Sequence, residues 1–161
     1  MTSCWKASDS VKGLLSMPLD DLYREVIVDH YNSPRNFGKP EKWDIMVEGR
    51  NPVCGDEIAI YLTVKDDVVS ECHFDGKGCS ISIASASVMT ESLIGRSLDE
   101  VRLVLSDFHQ LLRGEICQRC EQYSDAIAFQ GVTKFPVRVK CALLAWKTLQ
   151  GAIPDSGTHQ A

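Results

Sequence analysis

Along the chain, apolar positions first recur with a helical period. Leu19, Leu22, Tyr23, Val26, Ile27 and His30 fall on one stripe, the signature of an amphipathic helix. Pro18 suits its first position. Asp20 and Asp21 sit in the first turn, where the helix dipole favours negative charge, and Ser33-Pro34 ends it. The period then changes to two. Trp43, Ile45 and Val47 alternate with polar residues, and Ile58, Ile60, Leu62 and Val64 do so between Glu57 and Lys65. After a turn at Asp66-Asp67, Val68, Cys72 and Phe74 are expected on one face of a further strand. This pattern predicts two or three antiparallel strands joined by short turns.

Beyond Gly76-Lys77-Gly78 the helical pattern returns. Ser80 to Ile94 is crowded with Ser and Ala, which allow close packing, and Gly95 is placed to cap its C-terminus. Ser97-Leu98-Asp99-Glu100 fits a capping box ahead of Val101, Val104, Leu105, Phe108, Leu111 and Leu112. Gly114 closes that helix. Glu115 to Gly131 carries little pattern and reads as an inserted loop with a short helix. Pro136 opens a last helix through Leu149. The expected fold is a single α/β domain of the α+β type. It has a small antiparallel sheet of about three strands, helices on one side and a site at an exposed end. Residues 1–17 read as an extension, 18–151 as the domain and 152–161 as a polar tail.

Composition narrows the class. The chain has 161 residues, 44% of them hydrophobic and 24% charged, which fits one soluble globular domain. No apolar run approaches the roughly 20 residues of a membrane span. A net charge of −5 lacks the footprint of a nucleic-acid binder. The seven cysteines are odd in number and widely spread, unlike a secreted disulfide scaffold. The first 17 residues hold no secretory apolar region. The expected compartment is the cytoplasm, where clustered cysteines point to metal or catalysis.

Three cysteines occupy positions where backbone geometry presents a side chain. Cys54 lies in the turn Asn51-Pro52-Val53-Cys54-Gly55-Asp56, which would project Cys54 and Asp56 together. Cys79 stands at a helix start, where unpaired amides and the dipole favour a thiolate. Cys141 lies in the first turns of the last helix, near Arg138 and Lys140. Three thiolates and one carboxylate could complete a tetrahedral Zn²⁺ site. Lys77, Arg138 and Lys140 could offset its negative charge. Spacing alone leaves open the alternative of separate buried or turn cysteines, because the four residues are scattered and no paired zinc-ribbon motif is present.

The same stretches resemble the IscU/SufU family of iron–sulfur cluster assembly proteins. The resemblance rests on Asp29 to Asn36 (DHYNSPRN), Asn51 to Asp56 (NPVCGD), Gly76 to Thr90 (GKGCSISIASASVMT), and Phe135 to Cys141 (FPVRVKC) with Trp146. It runs from about Leu19 to Leu149. IscU-type scaffolds have His before the last cysteine, where this chain has Lys140. The segment from Arg113 to Gly131, leading into Gln130-Gly131-Val132, resembles the extra segment of the SufU branch. The resemblance therefore favours SufU and implies a SufE/IscU-like fold. It implies Cys54, Asp56, Cys79 and Cys141 as metal ligands, with Zn²⁺ as cofactor. The implied activity is zinc-dependent transfer of persulfide sulfur from a SufS-like pyridoxal-phosphate cysteine desulfurase toward downstream iron–sulfur assembly proteins. It further implies ligand exchange, a partner side chain replacing Cys54. Cys54 is expected to be the acceptor, because a Gly-flanked turn moves more readily than a helix start. The alternative is a scaffold assembling a [2Fe–2S] cluster on the same residues, and a third possibility is a purely structural zinc module.

Other candidates have blander readings. Cys117-Gln118-Arg119-Cys120 suggests a redox pair or half a zinc site, but without a βαβ setting these are expected to be incidental loop cysteines. Cys72 is expected in the core and Cys4 in the extension without a role. His30 is expected to be packed or hydrogen-bonded, and His73 exposed. The Ser80–Ser87 run reads as close helix packing rather than a nucleophile, for want of a placed His/Asp partner.

Overall fold

The computed structural model describes residues 19–123 and 125–153. The expectations for residues 1–17, for Cys4, for Pro18 and for the chain from 154 onward lie outside these. The elements are helix α1 (Leu19–Asn32), strands β1 (Ile45–Asn51), β2 (Asp56–Lys65) and β3 (Val68–Lys77), then helices α2 (Ser80–Leu93) and α3 (Leu98–Leu112). A 3₁₀ turn (Cys120–Gln122) and a 3₁₀ helix (Ala126–Lys134) lead into helix α4 (Pro136–Ala152). The sheet is antiparallel in the order β1-β2-β3, as the alternation predicts.

The β2–β3 turn is Asp66-Asp67, with both residues at positive φ, the backbone that lets a two-residue turn follow the strand twist. One strand detail differs from the pattern. Val64 pairs with Val69 and Thr63 with Glu71, so Ser70 is an extra residue on β3. This bulge moves the inward face by one position. Val69, rather than Val68, is buried with Cys72 and Phe74. Trp43 also lies outside its expected strand. It precedes β1 and packs edge-on against Tyr61, whose side chain alternates with the inward Ile60 and Leu62.

Helix α2 is the centre of the molecule. From Ile81 to Thr90 every residue is buried, so its Ser and Ala side chains do let neighbours approach closely. Ser85 donates to the Ala142 carbonyl at 2.6 Å and accepts from Trp146 Nε1 at 2.8 Å. Those bonds tie α2 to α4, and Trp146 in turn stacks on Phe108 of α3. The capping box at Ser97 and Glu100 is present. The inserted segment carries more structure than expected, because Ala126, Ala128, Phe129 and Val132 of the 3₁₀ helix are all buried. Helix α4 extends past Leu149 to Ala152, and Ile153 beyond it is buried.

Candidate metal centre

Three elements end at one place. The β1–β2 hairpin closes between Asn51 and Asp56, which pair across the ladder. The loop Pro52-Val53-Cys54-Gly55 is held by the Gly55 N–H on the Asn51 carbonyl (2.7 Å) and the Val53 N–H on the Asn51 side-chain oxygen (3.2 Å). Gly55 has φ +75°, a conformation glycine adopts without a Cβ penalty. Cys54 is therefore presented at the hairpin tip and Asp56 at the first residue of β2. Cys79 caps the start of α2. Cys141, in the second turn of α4, is fully buried.

These residues converge. The Cys54 and Cys141 sulfurs are 3.0 Å apart. One ligand atom each from Cys54, Asp56 and Cys141 fit within 4.8 Å of one another. Asp56 is 1% exposed. One of its oxygens accepts the Cys79 N–H at 2.9 Å, and the other lies 3.9 Å from the Cys79 sulfur. Cys54, Asp56 and Cys141, with Cys79 next to Asp56, supply three soft sulfur donors and one carboxylate, in type the tetrahedral donor set of Zn²⁺. They also suit iron in a thiolate-held cluster.

Surrounding groups adjust this donor set. Burial pushes the Cys141 thiol up, and the hydrogen bond with Cys54 and the charges of Cys79 and Asp56 act the same way. The charge of Cys79 and a hydrogen bond to Cys141 hold the Arg138 guanidinium more firmly protonated, with a smaller contribution from Cys54. Arg138 is thus the cation that faces the thiols. Lys140 is exposed and lines a groove with Arg50 and Lys147 between β1 and α4, and Lys77 lines another on the sheet.

Three supporting residues escape sequence reasoning. Tyr23 reads there as part of an apolar stripe. Its hydroxyl is pushed up by burial, against the opposing charge of Arg138, and the charges of Cys79 and Cys141 add to the rise. Asn51 reads only as the first residue of the turn segment, yet its amide nitrogen lies 3.9 Å from the Cys141 sulfur. A Cβ on Gly78 would stand 2.6 Å from Asp56 Oδ1 and from Ser82 Oγ, so this glycine makes room for the carboxylate.

The remaining candidates sort differently. Cys72 is fully buried beneath the sheet, and burial raises its thiol to about 12. His73 is half-buried rather than exposed, 3.1 Å from Glu71. His30 is fully buried, as its place on the stripe implies. Its Nδ1 meets Ser87 Oγ at 2.7 Å and its Nε2 meets Asp125 at 2.8 Å. The Ser run therefore does have a placed His/Asp partner, contrary to expectation. Ser87 nevertheless has no exposure, and its oxygen already accepts the Arg35 N–H at 2.8 Å. The chain of bonds holds α1 to α2 and offers no route to a substrate. Cys117 and Cys120 are not independent loop cysteines: they form a disulfide.

Residues 22–155 match the NifU-like N-terminal domain, and the chain belongs to that family. Within it, the zinc-dependent sulfurtransferase SufU of Bacillus subtilis (strain 168) is 42% identical over 135 residues, covering 84% of this chain and 91% of that one. The iron–sulfur cluster assembly scaffold protein IscU of Thermotoga maritima is 39% identical over 132 residues, 82% of this chain and 92% of its own. The crystal structure of an iron–sulfur cluster assembly scaffold protein for the SUF system from Fervidobacterium islandicum AW-1 superposes with a TM-score of 0.77. It is 34% identical, covering 83% of this chain and 97% of that one.

Proposed function

We propose that this protein is a zinc-dependent sulfurtransferase of iron–sulfur cluster biogenesis, accepting persulfide sulfur from a pyridoxal-phosphate cysteine desulfurase in the cytoplasm. The observation that carries the reading is the convergence of Cys54, Asp56 and Cys141 within metal-ligand reach of one another, with the Cys79 sulfur 3.9 Å from Asp56. Likeness to both a named sulfurtransferase and named scaffolds supports the biogenesis setting. Lys140, where IscU-type scaffolds have His before the last cysteine, supports the transferase over the scaffold.

Zinc, when bound, keeps its thiolates deprotonated and brings no redox chemistry of its own. The protein's own residues do the rest. Asp56, Cys79 and Cys141 are set on a strand end and two helices, so they form the rigid part of the centre. Cys54 rides on the hairpin loop and is the acceptor. Its thiolate attacks the outer sulfur of the desulfurase persulfide. A new S–S bond forms on Cys54, the old one breaks, and the desulfurase cysteine leaves as a thiolate, with no net oxidation. Arg138 lies beside these thiols and balances their negative charge. Val53 on the hairpin loop and Phe135 and Val137 at the start of α4 are exposed at 68, 50 and 62%, apolar surface on the same segments that carry Cys54 and Cys141, against which a partner can exclude water.

The test is transfer of labelled sulfur from a desulfurase supplied with cysteine. Cys54→Ser should lower acceptance by at least about a thousandfold, the scale of losing a nucleophile. Acceptance at the normal rate would assign the step to another cysteine.

A further inference from the structure

The Cys117–Cys120 bridge is not needed by the sulfur-transfer centre. Three of the other cysteines are committed to that centre, and Cys72 is sealed beneath the sheet. The bridge also makes a poor staple. It links residues three apart and joins no distant elements, so it removes little freedom from the unfolded chain.

The surrounding connection is anchored without it. Arg119 holds the buried Asp107 carboxylate with two bonds of 2.8 Å, and Tyr123 donates to the same group. Ser92 donates to the Tyr123 carbonyl at 3.3 Å, and the Arg96 guanidinium lies 5.0 Å from the Tyr123 ring centre. The fold around the pair can therefore survive loss of the S–S bond.

The two sulfurs differ in access. Cys120 is fully buried, whereas Cys117 is half-buried beside Ile116, which is 85% exposed. An external thiolate reaches Cys117 first. Once freed, the Cys120 thiol finds the Asp107 carbonyl oxygen 3.6 Å away, so the reduced state leaves no polar group stranded. In the cytoplasm proposed above, a lasting structural disulfide is the exception and a transient redox pair the rule.

We propose that Cys117 and Cys120 form a reversible dithiol–disulfide site, distinct from the metal centre, that exchanges electrons with cellular dithiol reductants and disulfide oxidants. In reduction, a dithiol's thiolate attacks Cys117 Sγ, breaking the Cys117–Cys120 bond and releasing Cys120 as a thiolate that takes up a proton. The reductant's second thiolate then attacks its own sulfur in the mixed disulfide. Cys117 leaves, and the reductant departs as a disulfide. Two electrons pass to the protein, and the reverse sequence restores the bond.

The test uses the full-length, zinc-loaded protein in anaerobic glutathione buffers of graded reduced-to-oxidised ratio. After acid quenching and alkylation, peptide mass spectrometry reads each cysteine. Cys117 and Cys120 should pass together from dithiol to mutual disulfide in one two-electron step within that range, with zinc content unchanged. Two free thiols throughout, a disulfide that persists in excess reduced glutathione, or loss of zinc in step with oxidation would each overturn the proposal. Hydrogen exchange adds a second readout. Reduction should speed exchange severalfold across residues 115–123 of the wild type, and a folded Cys117→Ser/Cys120→Ser protein should show no such response. A redox response persisting in that variant would also overturn the proposal. If the variant does not fold, the wild-type titration decides alone.

Discussion

Two clusters among the described residues bring together side chains of metal-ligating type: Cys54, Asp56 and Cys141 in one, His30, Glu91 and Asp125 in the other. Their surroundings differ. Both ring nitrogens of His30 already have partners, Ser87 and Asp125, at hydrogen-bond distance. Glu91 lies 3.8 Å from the Arg35 guanidinium, a cation the fold itself supplies. In the first cluster the thiols have mainly one another, and Asp56 is buried with its second oxygen turned to Cys79. Ligand-type residues collect in both places, but the first gathers soft sulfur donors around a buried carboxylate, whereas the second centres on a histidine engaged at both nitrogens. Ionising buried thiols beside a carboxylate is costly unless a cation joins them, and that chemistry separates a candidate metal centre from a hydrogen-bonded brace.

The contrast can be broken at its strongest point by Asp56→Ala. Structural zinc in small sites is worth about 10–16 kcal/mol. One ligand in four then carries roughly 3.5 kcal/mol, so zinc affinity in a competition titration should fall several hundredfold. Unchanged affinity would remove Asp56 from the ligand set. His30→Ala should act in the opposite sense. It leaves a cavity and unpairs buried groups, costing about 3 kcal/mol in denaturant unfolding, while zinc stoichiometry stays the same. Loss of zinc with His30 would merge the two clusters into one account.

Proton linkage sharpens the distinction further. The Cys141 thiol is pushed up by burial and by its neighbours, so near neutral pH it binds a proton that metal must displace. Zinc affinity should therefore rise with pH, by about tenfold per unit for each proton released. A flat profile from mildly acidic to mildly alkaline pH would contradict this. The smallest expected effect comes from Gly78→Ala. The added methyl would meet Asp56 Oδ1 and Ser82 Oγ at 2.6 Å, and displacing the carboxylate should weaken zinc by about tenfold, on the scale of a disturbed outer shell. No change would show that the carboxylate yields freely.

Much of this was legible in the chain, for reasons that differ by region. The alternation of Ile58, Ile60 and Leu62 follows directly from a strand with one buried face. The Ser97–Glu100 capping box is a local device written in four residues. The four candidate ligands were legible because each stands at a turn or helix start, and because their surrounding stretches resemble a family. The bulge at Ser70 was not legible. Val68 and Val69 are equally apolar, and tertiary pairing chooses between them. Tyr23 was hidden for a related reason: an aromatic on a buried stripe looks the same whether or not its hydroxyl feels the charge of distant-in-sequence thiols. The 3₁₀ helix over Ala126–Lys134 lacks the 3.6-residue period by which helices are recognised. Ser87, His30 and Asp125 lie on three separate segments, and no spacing in the chain announces that they meet.

The most direct test of the central claim is the metal and acid-labile sulfide content of protein purified without oxygen. Near-stoichiometric zinc with no sulfide is the predicted result for a sulfurtransferase built on Cys54, Asp56, Cys79 and Cys141. Iron and sulfide in matching amounts, with cluster absorption in the visible range, would contradict it and establish a cluster-holding scaffold instead.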